Sequence, residues 1–220
     1  MLFRSAIVGG FSQYSSEAAM YGQEVSIASD VVAPFVGTVG LLLVLFAPLM
    51  TMRSLAEEQS TGSLALLLSS PVSSWEIVLG KFVGLLCFWT GLFGIGMAYV
   101  PLLLAWFSDT ALVPIAVAGA ALVLLAAACS AVGIAASSMS GSQMAAAGLA
   151  WCALLFLWIA GFLSEFQGWL GNIGDTFGML AHFDELTKGL VQSNDVLFFA
   201  LIIFFSLLVA QQRVETHRWR

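Results

Sequence analysis

The sequence predicts an all-α fold: a polytopic bundle of transmembrane helices, with a polar elbow of short helices between two of them. Three observations carry that expectation. Hydrophobic residues fill 60% of the 220 positions and charged residues 9%, with a mean hydropathy of +0.98, well beyond the roughly 45–50% apolar content of soluble domains. The apolar residues fall in long runs, several of the roughly 20 residues that a helix needs to cross a bilayer. The interiors of the central runs contain no Asp, Glu, Lys, Arg or His.

Taken in order, Met1 to Phe11 is apolar but too short to span, and Ser12 to Asp30 carries Glu17, Glu24 and Asp30 without a basic residue. This stretch reads either as the end of a partial first span or as a surface segment. Residues 31–53 are long enough to cross and end at Arg53.

The elbow, residues 54–76, follows. The preceding helix is expected to continue through Ser54 to Gln59 and to break at Ser60, Thr61 and Gly62, where loop-forming side chains and a glycine coincide. A second short helix, Ser63 to Leu68, would turn Leu64, Leu67 and Leu68 toward the membrane surface or a partner, and Pro71 would close it. Ser73 and Glu76 then have the spacing of a capping box, with Val72 and Ile77 placed as its hydrophobic staple, so the next helix starts at Ser74. Lys81 reads as an anchor at the membrane boundary.

Residues 77–106 form the next span, with Gly91, Gly94, Gly96 and Pro101 as bending points. Residues 112–136 and 144–163 are two more, joined by the polar link Ser137 to Gln143, and Pro114 sits in a first turn that tolerates it. Residues 164–195 mix Phe166, Trp169, Leu170, Phe177, Leu180, Phe183, Leu186 and Leu190 with acids, glycines and amides, as interfacial helices packed on the spans do. Residues 196–210 make a short last span, and Gln211 to Arg220 a polar tail. The whole chain, 1–220, reads as one transmembrane domain.

Basic residues set the orientation. With the elbow, the Ser137 to Gln143 link and the C-terminus on one side, that side collects Arg53, Lys81, Arg213, Arg218 and Arg220 and leaves Lys188 opposite. The basic side is expected to be the cytoplasm, which puts the C-terminus inside and residues 164–195 in the periplasm. Most acids gather on the other side, which accounts for the net charge of −6.

Several chemistries lack their residues. Clustered Lys and Arg for nucleic-acid phosphates are absent. Cys87, Cys129 and Cys152 are isolated in apolar runs, without metal or disulfide spacing. Spans empty of ionisable groups argue against an ion-coupled carrier, and no Ser with a neighbouring base suggests a hydrolase. Gly80-Lys81 is not a phosphate loop, because Trp75 stands at the first glycine position and Phe82 at the Ser/Thr position. His182, Asp184 and Glu185 are too few for a metal site and suit the polar face of an interfacial helix. The pairs Gly80 and Gly84, Gly91 and Gly94, and Gly133 with Ser137 read as packing surfaces. The tryptophans read as interface anchors or packing. No cofactor is expected on this chain.

The run from Leu49 to Lys81, with Met52-Arg53, Ala56-Glu57-Glu58, Gly62, Leu64 to Leu68, Ser70-Pro71-Val72 and Glu76 to Lys81, resembles the ABC-type transporter permeases of the type-2 exporter family. The likeness is closest to the gliding-motility-associated permease branch. Ala181-His182-Phe183-Asp184, Lys188-Gly189, Asp195 and Arg218-Trp219 resemble the end of that branch.

The resemblance implies a six-helix permease subunit in a bacterial inner membrane, the first span truncated here, paired with a second permease copy. Separate cytoplasmic ABC ATPases would supply ATP, and their closure would act through the elbow. Carried over by position, Glu57 and Glu58 would end the helix above the ATPase and Gly62 would permit the turn. Leu64, Leu67 and Leu68 would belong to the surface helix, and Pro71 to Lys81 would lead into the third span. Gln59 and Ser60 depart from the basic residues common there, and Ala65 from a common acid. An export or envelope-remodelling complex is the reading that results; a membrane anchor or assembly scaffold for an envelope machine is the alternative.

Overall fold

The computed structural model describes residues 33–63, 72–104, 112–165, 171, 174, 176–187 and 192–218. Residues 1–11, Leu64, Leu67, Leu68, Pro71 and Lys188 lie outside them, and with them the partial first span and the expected leucine-rich surface helix. Within the described residues the secondary structure is helical throughout. We number the α-helices α1 (Ala33–Thr51), α2 (Ala56–Thr61), α3 (Ser74–Leu104), α4 (Leu112–Met139), α5 (Gln143–Ala160), α6 (Met179–Thr187) and α7 (Ser193–Arg218). A 3-10 turn, Gly161–Glu165, extends α5. Among the described residues five segments are long and apolar enough to cross a membrane: Pro34–Thr61, Ser74–Gly96, Ala116–Met139, Gln143–Leu163 and Ser193–Thr216.

The bundle is built around α4, which touches every other helix of the described chain. In its most apolar window 72% of residues are buried, against 22–39% in the other spans. Its sequence explains the position. It has no aromatic residue and is rich in alanine, so neighbouring backbones can approach closely and be held by dispersion and not by bulk. The tightest approach is at Gly133, where a Cβ would stand 2.0 Å from Thr51 Oγ1. Only glycine admits the end of α1 there.

Apolar packing divides into two clusters. The larger joins Val36, Leu43 and Val44 of α1 to Trp89 of α3, Leu122 and Leu125 of α4, Leu154 and Trp158 of α5, Phe183 of α6 and Phe199 of α7. The second lies at the elbow end and joins Leu55, Ile77, Val78, Ala131, Ile134, Leu207, Ala210 and Val214.

Three expected boundaries move. The α1 helix does not run on from Ser54 to Gln59: it ends at Thr51, and α2 restarts at Ala56. Pro48, inside α1, provides no amide to its own ladder, and the chain turns through Met52 to Leu55. The polar link shrinks to 140–142, because Ser137 and Ser138 are buried in the last turn of α4. The polar tail is not separate: α7 continues as helix through Gln211 to Arg218, with Val214 fully buried.

Candidate functional site: the elbow and the helix ends that hold it

The α2 helix has only six residues, too few to stand on its own hydrogen bonds. Its N-terminal flanking residue is Leu55, which has no side-chain acceptor to cap it. The cap comes from α4. Ser137 Oγ accepts from the amides of Leu55 and Ala56, both at 2.9 Å, and donates to Met52 O at 3.2 Å. One buried hydroxyl thereby uses its donor and both acceptor lone pairs on the elbow.

The exchange runs both ways. Gln59 Nε2, on α2, donates to Ser138 O at 3.0 Å, one of the α4 carbonyls without an intrahelical partner. The N-terminal end of α2 and the C-terminal end of α4 thus meet with macrodipoles of favourable sign. Gln59 is half-buried and serves the fold.

Gly62 closes α2 as expected. It adopts φ +74° and ψ 0°, and its amide reaches Gln59 O at 3.4 Å, a left-handed cap that costs glycine little. The capping box also forms: Ser73 N donates to Glu76 Oε2 at 2.7 Å, and Glu76 N to Ser73 Oγ at 3.3 Å. Val72 packs against the cluster that contains Ile77. The α3 helix starts at Ser74 and runs unbroken through Gly91, Gly94, Gly96 and Pro101.

The charged residues separate by role. Glu57 and Glu58 sit in the first turn of α2 and do not end it. Glu58 is half-buried and meets Lys81 Nζ at 2.6 Å, and Lys81 also donates to Ser54 O at 2.5 Å. Lys81 is therefore a strut from α3 back to the elbow. Glu57 is exposed. Arg53 is exposed too, and Met50, Arg53, Glu57, Glu58, Thr61, Ser63 and Lys81 line one open groove between α1, α2 and α3.

The last turns of α7 come to the same place. Ser74 Oγ, at the first residue of α3, donates to Glu215 Oε2 at 2.5 Å. Sequence reasoning reads Ser137 only as a packing surface with Gly133, and it does not single out Glu215. Each acts on a partner at least 81 residues away, and no local pattern marks it.

The expected packing glycines divide. Gly133, beside Ser137, packs tightly, whereas a Cβ at Gly80, Gly84, Gly91 or Gly94 would meet nothing within 4 Å. Among the described residues no group of three metal-ligating side chains forms. His182 instead binds Asp195, Nδ1 to Oδ1 at 2.7 Å, and stacks on Phe198. Trp89 and Trp158 are buried, and Trp151 Nε1 donates to Leu45 O at 2.8 Å.

The model of the family described as ABC-2 family transporter protein matches residues 4–172, most of the chain, including α1 to α5 and the whole elbow. The chain belongs to the ABC-2 transporter family. The five candidate spans among the described residues are in keeping with a multi-pass membrane permease, and the elbow of this ABC-2 permease lies between α1 and α3. No curated protein matches the sequence. The α6 and α7 helices of the permease lie beyond the matched residues.

Proposed function

We propose that the chain is the membrane subunit of an ATP-driven exporter or envelope-remodelling complex in a bacterial inner membrane, related to the gliding-motility-associated branch. A separate cytoplasmic ABC ATPase would dock on the elbow, and a second permease copy would complete the path. The C-terminal end of α7, which shares the elbow's end of the bundle, would then be cytoplasmic, in keeping with Arg53, Lys81 and Arg213 on that side.

The observation that carries this reading is the construction of the elbow. A six-residue helix too short to be stable alone is capped by Ser137, tied by Gln59, strutted by Lys81 and stopped by Gly62. Such bracing makes it a stiff lever on α1, α3 and α4, while Glu57, Ser60 and Thr61 remain exposed for contact. Movement of the elbow would tilt α1 and α3, with Gly91, Gly94, Gly96 and Pro101 as points where α3 yields.

Affinity purification from native cells in mild detergent tests the proposal, with wild type compared to Glu57→Lys. A P-loop ATPase that accompanies the wild type and is lost from the inserted variant supports it. Absence of any ATPase from the intact wild type overturns it in favour of a scaffold or anchor.

A further inference from the structure

The second apolar cluster is shared by four helix ends. Leu55 enters it from the elbow, Ile77 and Val78 from the first turns of α3, Ala131 and Ile134 from α4, and Leu207, Ala210 and Val214 from α7. The three α7 residues fall at i, i+3 and i+7, a helical stripe turned toward the elbow. Leu55, Val78, Ile134, Ala210 and Val214 are completely buried.

A polar tie accompanies the apolar one. Ser74 is 3% exposed and donates to the Glu215 carboxylate across 141 residues of sequence. A hydrogen bond to a carboxylate is about twice as strong as one between neutral groups. The carboxylate also stands at the N-terminal end of α3, where the helix macrodipole favours negative charge. Glu215 thus ties the first residue of α3 to α7, beside the local cap that Ser73 and Glu76 provide. The α5 helix contributes nothing to this cluster.

We infer that the elbow, the start of α3 and the C-terminal end of α7 move as one piece, with Ser74 and Glu215 as positioning residues that pass elbow movement to the last span. The inference rests on the proposal that an ATPase acts on the elbow and adds α7 as a further output, besides α1 and α3. Because α7 also holds Asp195 against His182 at the far end of the bundle, displacement of its elbow end would reach α6 through a continuous helix.

Distance measurement between spin labels on the permease with its co-purified ATPase, in lipid nanodiscs, tests this. Labels at Ser60→Cys on the elbow and Thr216→Cys on α7 are each paired with Met144→Cys at the start of α5, an exposed site outside the cluster. Cys87, Cys129 and Cys152 are first replaced by alanine. On addition of a non-hydrolysable ATP analogue, both distances are expected to change in the parent protein.

In the Ser74→Ala, Glu215→Ala variant the elbow change is expected to persist while the α7 change falls by about half or more, since the charge-assisted bond is the polar part of the link. Ser74→Thr, which keeps the hydroxyl, should retain the α7 change. Glu215→Gln gives an intermediate loss and serves if the double variant does not insert. A stationary Thr216 label beside a moving Ser60 label overturns the inference, as does an α7 change that the variants leave intact. A stationary Ser60 label with a bound, hydrolysing ATPase overturns the reading of the elbow itself, and the inference with it.

Discussion

Ser137 on α4 caps Leu55 in the elbow: its hydroxyl oxygen accepts the leucine amide at 2.9 Å, from 82 positions along the chain. The same oxygen takes the amide of Ala56. The start of α2 is therefore encoded in another helix, and the elbow can hold its shape only while it stays seated on α4.

Ser137→Ala removes that cap and leaves two buried amides without partners. The expected loss is about 1–3 kcal/mol, read as a lower melting temperature in detergent. Proteolytic cleavage between Met52 and Gly62 should become faster than cleavage elsewhere, because the damage is confined to α2.

Gly133→Ala forces a methyl group into Thr51, whose Oγ1 and Cβ would lie 2.0 and 2.6 Å away. Overpacking of this kind costs about 1–3 kcal/mol. Thr51→Ala should give little relief, since the Cβ remains, whereas Thr51→Gly should restore part of the loss in the double variant. Equal melting temperatures for the two double variants would contradict the close approach of α1 and α4.

The adjacent acids should behave differently. Glu57→Gln, at an exposed position, is expected to change the melting temperature by no more than about 0.5 kcal/mol equivalent while weakening ATPase capture. Glu58→Gln loosens the strut to Lys81 and should lower stability and capture together. The Glu58→Lys, Lys81→Glu exchange should recover more stability than either reversal alone.

At the other end of the bundle, Asp195 is 1% exposed and depends on His182. His182→Phe keeps an aromatic ring over Phe198 but removes the hydrogen bond, leaving a buried carboxyl unpartnered at a cost of about 1–3 kcal/mol. Asp195→Ala in the same background should add much less than it does alone, because the two groups act as a pair. Melting curves of the single and double variants measure the coupling.

What the sequence made legible was local. The capping box of Ser73 and Glu76, the stop at Gly62 and the five apolar runs each depend on residues within a few positions of one another, and each is present. The bracing of the elbow was not legible, because Ser137, Gln59, Lys81 and Glu215 look like ordinary polar residues near span ends. Their roles come from helices brought together by the fold. The extension of α7 was hidden for a related reason: Gln211 to Arg218 reads as polar until Val214 is seen at the end of a stripe that begins in the membrane. The central place of α4 had a signal that could have been used. It is the span without an aromatic side chain, and bulk is what a helix surrounded by others must lack.

That crowding of α4 has a consequence for how this protein can diverge. A helix touched from all sides offers no direction in which a larger side chain can grow, so Ala126, Ala128, Ala131 and Gly133 are fixed by volume alone, whatever is transported. The outward faces of α3 and α7 carry no such restriction toward α4. Sequence drift in relatives should therefore be graded by radius, slowest along the axis and fastest at the rim, so that a new cargo or partner can be accommodated by changing the perimeter while the axis stays as it is.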